Sequence, residues 1–237
     1  MKMQQKIQKT VPRWCWVGVL ASVPMLAQAG LLVGGLFDKN GQPVAEAVIY
    51  AKPLDAAPAA ASATASVTAS VSETAIIDQE NYLYVPYVSA IRKGTTIKFT
   101  NKDGRDHHVK SFSPAKQFEM RVPSKGEAAQ TVLFDKPGEV ALVCHFHDNM
   151  RGFIFVLETP YFGKTDKSGN VLLNNLPPGR YQVDAWVPYL LTPLPTQTVQ
   201  VGATGSAAVN FKLDYVPKPR PAGRTPYKAP SPQSYDL

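Results

Sequence analysis

Beyond residue 76 the chain is a succession of apolar runs too short, and too often interrupted, to make helices. YLYVPYVSAI, TTIKFTN, HHVKSFS, QTVLF, EVALVC and GFIFVLE follow one another across residues 76–158, rich in β-branched and aromatic residues and divided by Gly, Pro, Asn and Asp. Residues 159–214 continue in the same style, through GNVLLNNLPPGRYQVDAWVP to TQTVQV and AAVNFKL. None of these runs carries a helical period. Strands of this length with turn signals between them predict an all-β chain built as sandwiches or barrels. A hydrophobic fraction of 44% against 18% charged residues excludes wholesale disorder.

The flanking segments divide by composition. Residues 1–29 read as a secretory leader, with Lys2, Lys6, Lys9 and Arg13 ahead of the apolar stretch from Trp14 to Leu26, and a small-x-small cleavage site at Ala27-Gln28-Ala29. Residues 30–55 predict two strands around a Lys39-Asn40-Gly41-Gln42 turn. Residues 56–75 are almost all Ala, Ser, Thr and Val and predict a linker. Residues 215–237 form a proline-rich basic tail with little that could enter a core. The formal charge of +7 belongs to these appendages, because residues 30–215 carry 17 basic and 17 acidic side chains. The basic balance therefore does not point to nucleic acid. After the leader no apolar run reaches the roughly 20 residues that span a bilayer, so no stable membrane insertion is expected once it is cleaved.

Loss of the leader removes Cys15 and leaves Cys144 as the only cysteine. An exported chain with one thiol has no internal disulfide and needs another reason to keep it. Metal binding is such a reason. All 4 histidines fall in two clusters, His107-His108 and His145-Phe146-His147, the second directly after Cys144. Met150 follows three residues later, as His147 follows Cys144. A thiolate, two imidazoles and a weak thioether make the trigonal copper site used for electron transfer. A tight loop between strands could aim Cys144, His147 and Met150 at one ion, and the HHV segment would supply the second imidazole. In an alternating strand His107 shares a face with Val109, and His108 with Lys110. Zinc is the rival ion, held by the same His₂Cys set and a water, but its chemistry has no use for Met150.

From about Ala75 to Glu158 the sequence resembles the cupredoxins, the plastocyanin and amicyanin superfamily. The resemblance lies in Lys93-Gly94-Thr95-Thr96-Ile97-Lys98-Phe99-Thr100-Asn101, in Phe134-Asp135-Lys136-Pro137-Gly138, in the Cys-x2-His-x2-Met loop and in Met150-Arg151-Gly152-Phe153-Ile154. It implies a Greek-key β-sandwich over residues 76–158 and one copper per chain, held by His107, Cys144, His147 and Met150. His108 departs from the hydrogen-bonding residue usual after the first ligand. Two flanking stretches resemble a carboxypeptidase-regulatory-like (transthyretin-like) sandwich: Asp38-Lys39-Asn40-Gly41-Gln42-Pro43-Val44, and Asn175-Leu176-Pro177-Pro178-Gly179-Arg180-Tyr181. Residues 159–214 alone are too few for such a sandwich, so the expectation is that residues 30–55 complete it and that the cupredoxin is inserted between the two parts. The whole arrangement is similar to exported bacterial proteins of the methylamine-utilisation type.

These readings lead to a periplasmic type 1 copper protein that passes single electrons between a redox donor and an acceptor. Enzymatic activity is not expected. No Ser/His/Asp set and no phosphate-binding glycine loop is present, and all four histidines lie at or beside one site, leaving none for a second copper centre. His147 with Phe146 forms the expected docking patch, with Arg105, Lys110 and Arg151 favouring an acidic partner. The alternatives are a copper-delivery protein, against which two methionines beyond the leader argue, and a cell-envelope binding module with a secondary metal site.

Overall fold

A computed structural model describes residues 30–55, 74–124, 130–190 and 192–223. The expected leader, most of the linker and the end of the tail lie outside the described residues. Among those described there are sixteen β-strands and no helix. The chain is all-β, as its short runs predict.

The strands form four sheets that pack as two sandwiches. One sandwich is made from β1 (Gly30–Phe37) and β2 (Val48–Pro53) together with strands from the far end of the chain. β1 lies between β13 (Asn170–Leu176) and β16 (Ser206–Lys212), antiparallel to the first and parallel to the second. β2 pairs antiparallel with β12 (Tyr161–Lys164) and β14 (Gly179–Trp186), and β15 (Gln197–Val201) closes that sheet. Leu32, Leu36, Ile49, Leu176, Val183 and Val201, all fully buried, fill the space between the sheets. The turn after β1 is tied by the Asp38 carboxylate, which accepts the backbone N–H of Asn40 and of Gln42, and Gly41 adopts a φ of 78° there. The turn thus sends β1 and β2 to opposite sheets and does not make a hairpin.

The second sandwich holds everything between. One sheet runs β5 (Val88–Arg92), β11 (Arg151–Leu157), β10 (Gly138–Val143), β7 (His107–Ser113), β8 (Lys116–Val122). The facing sheet runs β4 (Leu83–Val85), β3 (Thr74–Glu80), β6 (Thr95–Asn101), β9 (Gln130–Phe134). Their shared core includes Ile77, Tyr84, Ile97, Phe99, Val109, Leu142 and Ile154. β3 begins inside the stretch assigned to the linker: Thr74 and Ala75 pair with Thr96 and Ile97 of β6. Alternation of polar and apolar residues in TAIIDQE is weak, which hides this strand. Pro86 splits YLYVPYVSAI between the two sheets, since proline cannot donate to a ladder. β8 is absent from the expected strands although Gln117 to Val122 alternate polar and apolar, a strand period that the three charges of KQFEMRV obscure. Met120, without an assigned role, packs partly buried against this core.

A third apolar cluster joins the sandwiches. Val48 and Trp186 come from one, and Tyr87, Val88, Phe153 and Leu157 from the other. The Trp186 ring stacks on Phe155 at 4.8 Å and 9°, and its indole N–H donates to Glu139 at 3.1 Å. The first residues of the tail also lie on the body. Tyr215 packs against the first core, and Lys218 and Arg220 sit over the rings of Tyr189 and Tyr87.

Candidate metal centre

β7 and the loop from β10 to β11 meet at one end of the second sandwich. Along β7 the side chains alternate, with His107, Val109 and Ser111 buried and His108, Lys110 and Phe112 outside that core. His107 therefore points between the sheets, where it is 0% exposed. After β10, the loop Cys144–Met150 turns back on itself. The Cys144 N–H donates to the Met150 carbonyl, and the Met150 N–H donates to the carbonyl of His147. This closed turn aims Cys144 and His147 at His107. The ligand atoms of His107, Cys144 and His147 lie within 4.8 Å of one another, the only such group among the described residues. Both imidazoles offer Nδ1 to the sulfur, at 3.9 Å from His107 and 3.4 Å from His147. Met150, 1% exposed, belongs to the same buried cluster as Cys144.

The surrounding groups fix this arrangement. Asp103 accepts a hydrogen bond from His107 Nε2 at 2.7 Å, which turns Nδ1 toward the sulfur; an ion bound there would take the place of any proton that Nδ1 shares with Cys144. The same carboxylate accepts the backbone N–H of Asn81 at 2.7 Å and of Tyr82 at 3.0 Å. Asn81 and Tyr82 both have left-handed backbones, with φ of 53° and 61°. That turn lays the Tyr82 ring edge-on against His107 and His147, at 5.7 and 4.7 Å. Asp103 thus orients one imidazole directly and buttresses both through Tyr82. Sequence reasoning named neither residue. A carboxylate four residues before His107 was a usable sign of the first; nothing in the sequence marks Tyr82.

The electrostatics favour a thiolate. Burial pushes the Cys144 thiol up, but hydrogen bonds from His107 and from the backbone N–H of His108 and Phe146 outweigh it and hold the thiol below its ordinary range. Burial likewise disfavours a charged His107, yet Cys144 and Asp103 together raise it. The His108 N–H reaches Cys144 Sγ at 3.4 Å, while its side chain turns away to Glu119. Lys110 also pairs with Glu119, at 2.7 Å, so Arg105 and Arg151 are left as the exposed basic groups of the expected docking patch. Phe146, beside His147, is 53% exposed.

Fold and site together define an all-β, two-sandwich protein with a buried His₂Cys cluster at the end of one sandwich, a donor set suited to a soft or borderline transition metal. No protein-family profile matches the chain, and no curated protein matches it. Solved structures that match part of the chain include a purple cupredoxin from Nitrosopumilus maritimus, 25% identical, covering 36% of this chain and 99% of that one with a TM-score of 0.31. Another is an amicyanin variant in its reduced state, 23% identical, covering 46% of this chain and 99% of that one at a TM-score of 0.32. A copper-containing nitrite reductase from Thermus scotoductus is 25% identical over 36% of this chain and 23% of its own, at a TM-score of 0.32.

Proposed function

We propose that this protein is an exported, mononuclear type 1 copper protein that carries single electrons between redox partners and performs no catalysis of its own. The observation that supports it is the convergence of two imidazole Nδ1 atoms on one thiol sulfur beside a buried methionine. His107, Cys144 and His147 would hold the ion and Met150 would make the weak fourth contact. Copper in such a set takes up and gives back one electron at a geometry between the preferences of its two oxidation states.

The chain's own residues do the rest. Asp103 holds His107 in the orientation that presents Nδ1. The backbone N–H of His108 steadies the sulfur. The sandwich buries His107, Cys144 and Met150, and the half-buried His147 beside exposed Phe146 provides the route to a partner. Export fits the composition of residues 1–29, whose expected cleavage site precedes Gly30. Packing there is tight, since a Cβ on Gly30 would fall 2.2 Å from Val201 Cγ1. The first sandwich fits the carboxypeptidase-regulatory-like resemblance of the two flanks that build it.

The test is the visible spectrum of the processed protein with added copper(II). An intense thiolate-to-copper band, lost in Cys144→Ser, with a reversible one-electron couple, is the expected result. A colourless protein, or one whose colour survives Cys144→Ser, refutes the reading. Sequencing the processed protein from its amino terminus should begin at Gly30.

A further inference from the structure

The four histidines, read in the sequence as one group, sort into two pairs. His107 and His147 face each other at 5.0 Å inside the sandwich. His108 and His145, each the next residue after a member of the buried trio, face each other at 5.7 Å on the outer side. Alternation along β7 sends His108 outward beside the inward His107, and the bend after Cys144 leaves His145 exposed on the same side. The outward pair meets a carboxylate. Lys110 and Glu119 are directly paired across β7 and β8, and His108 and Arg121 are the next pair along. From there Glu119 Oε1 reaches His108 Nε2 at 3.1 Å.

We propose that His108, His145 and Glu119 form a second divalent-cation site, suited to Zn²⁺ or Cu²⁺, on the outer face beside the His₂Cys centre. Two imidazoles and one carboxylate oxygen are a borderline-soft donor set, which binds these ions in preference to Mg²⁺ or Ca²⁺. The His108 side chain is only 13% exposed, and its Nδ1 is buried with no hydrogen-bond partner among the described residues. Nε2 is therefore the one nitrogen through which His108 can bind anything, and it is aimed at Glu119. The separation of that nitrogen from Oε1 suits two ligands on one ion with bonds of about 2.0–2.2 Å. His145 is exposed on its loop with its ring 5.7 Å from that of His108; its nitrogens do not converge with Nε2 and Oε1 as the donors of the buried trio do, and rotation of this exposed side chain would bring one of them to the ion. Phe146 packs against both rings, at 5.5 Å from His108 and 6.0 Å from His145, giving the site an apolar wall.

Lys110 opposes the cation. Its ammonium holds Glu119 Oε2 at 2.7 Å, leaving Oε1 for the ion. The second site is therefore weaker than the first, and exchangeable.

The proposal does not depend on the nature of the first ion, and zinc titration of the metal-free protein by calorimetry tests it. The wild type should take two equivalents of Zn²⁺ in separable events. His145→Gln and Glu119→Gln, both changes at exposed positions, should each weaken the second event at least tenfold and leave the first intact. Cys144→Ser should remove the first and leave the second. A wild type that takes one equivalent, or a second event that survives both outer-face variants, overturns the proposal. A missing first event with the second retained counts against the His₂Cys reading alone.

Discussion

Replacing Asp103 with alanine isolates the carboxylate on which the site's geometry converges. Asp103 is 9% exposed and accepts three hydrogen bonds: from His107 Nε2 at 2.7 Å, Asn81 N at 2.7 Å and Tyr82 N at 3.0 Å. Hydrogen bonds to a charged acceptor contribute about 1.5 kcal/mol each at the low end of their range, so the three together supply about 4.5 kcal/mol. Part of this returns on mutation. With its anchor gone, the turn at Asn81-Tyr82 can leave the left-handed region, which costs an ordinary residue about 1–2 kcal/mol. Asp103→Ala should therefore destabilise the metal-free protein by about 3 kcal/mol, measured by urea unfolding followed through tryptophan fluorescence and circular dichroism. Because His107 loses its orienting partner, copper affinity should also fall about 10- to 100-fold in a competition titration against a chelator. Asp103→Asn keeps one acceptor oxygen and should fall between. An Asp103→Ala protein within about 0.5 kcal/mol of wild type, the scatter of an ordinary surface substitution, and with unchanged copper affinity would refute the assignment.

Three other outcomes follow from the packing and the charges. Trp186→Ala removes the ring that stacks on Phe155 and the donor to Glu139; large-to-small changes at such sites cost about 3–5 kcal/mol, and unfolding monitored separately in each sandwich should show the two uncoupling. Gly152→Ala places a Cβ 2.8 Å from that of Tyr84, which is fully buried; overpacking of this kind costs about 1–3 kcal/mol, read as a lowered urea midpoint with the copper band retained. For Asp78, burial raises the carboxyl, but Lys102, at 2.6 Å, and the Thr100 hydroxyl outweigh it and hold it below the ordinary carboxylate range. A depressed folded value means that its stabilisation is present above the unfolded value of about 3.9 and is lost as pH falls through the folded one. The stability gap between wild type and Asp78→Asn should be constant at neutral pH and narrow toward pH 3; a gap that widens there would contradict the assignment.

What could be read from the sequence follows a physical divide. Strand period, turn residues and ligand spacing are local, so the all-β class, the strands from TTIKFTN to GFIFVLE and the clustering of Cys144 with His147 are legible in the residues themselves. The alternation along HHVKSFS already places His107 inside and His108 outside. Pairings between remote segments are not local. Asp103 is four residues from His107, but its hold on Asn81 and Tyr82 exists only because β3 lies beside β6. The same holds for His108 and Glu119, which meet because β7 and β8 pair at a particular register. β8 carries three charges among its seven residues, which mask the inward set of Phe118, Met120 and Val122. The tail reads as having little that could enter a core; Tyr215 packs against one, while Lys218 and Arg220 lie over aromatic rings on the body, contacts that no local pattern announces.

The joining of the two sandwiches bears directly on the metal loop through β11. This strand leaves the loop at Arg151, immediately after Met150, and is buried on both faces for most of its length. Its inward residues Ile154 and Val156 belong to the core that contains Cys144 and Met150. Its outward residues belong to the contact with the other sandwich: Phe153 packs on Tyr87, Trp186 and Tyr189, and Phe155 on Tyr50 and Trp186. On its edges β11 is hydrogen-bonded to β10 and to β5. A strand held on two faces and two edges cannot shift without disturbing both sandwiches. The start of the loop is fixed as well, because Cys144 follows β10, whose Val143 is paired to Lys110 of the strand that carries His107. The loop is thus clamped at both ends by structure outside itself. A site so held would keep its ligand positions when the charge of a bound ion changed, which is the property the proposed electron transfer requires.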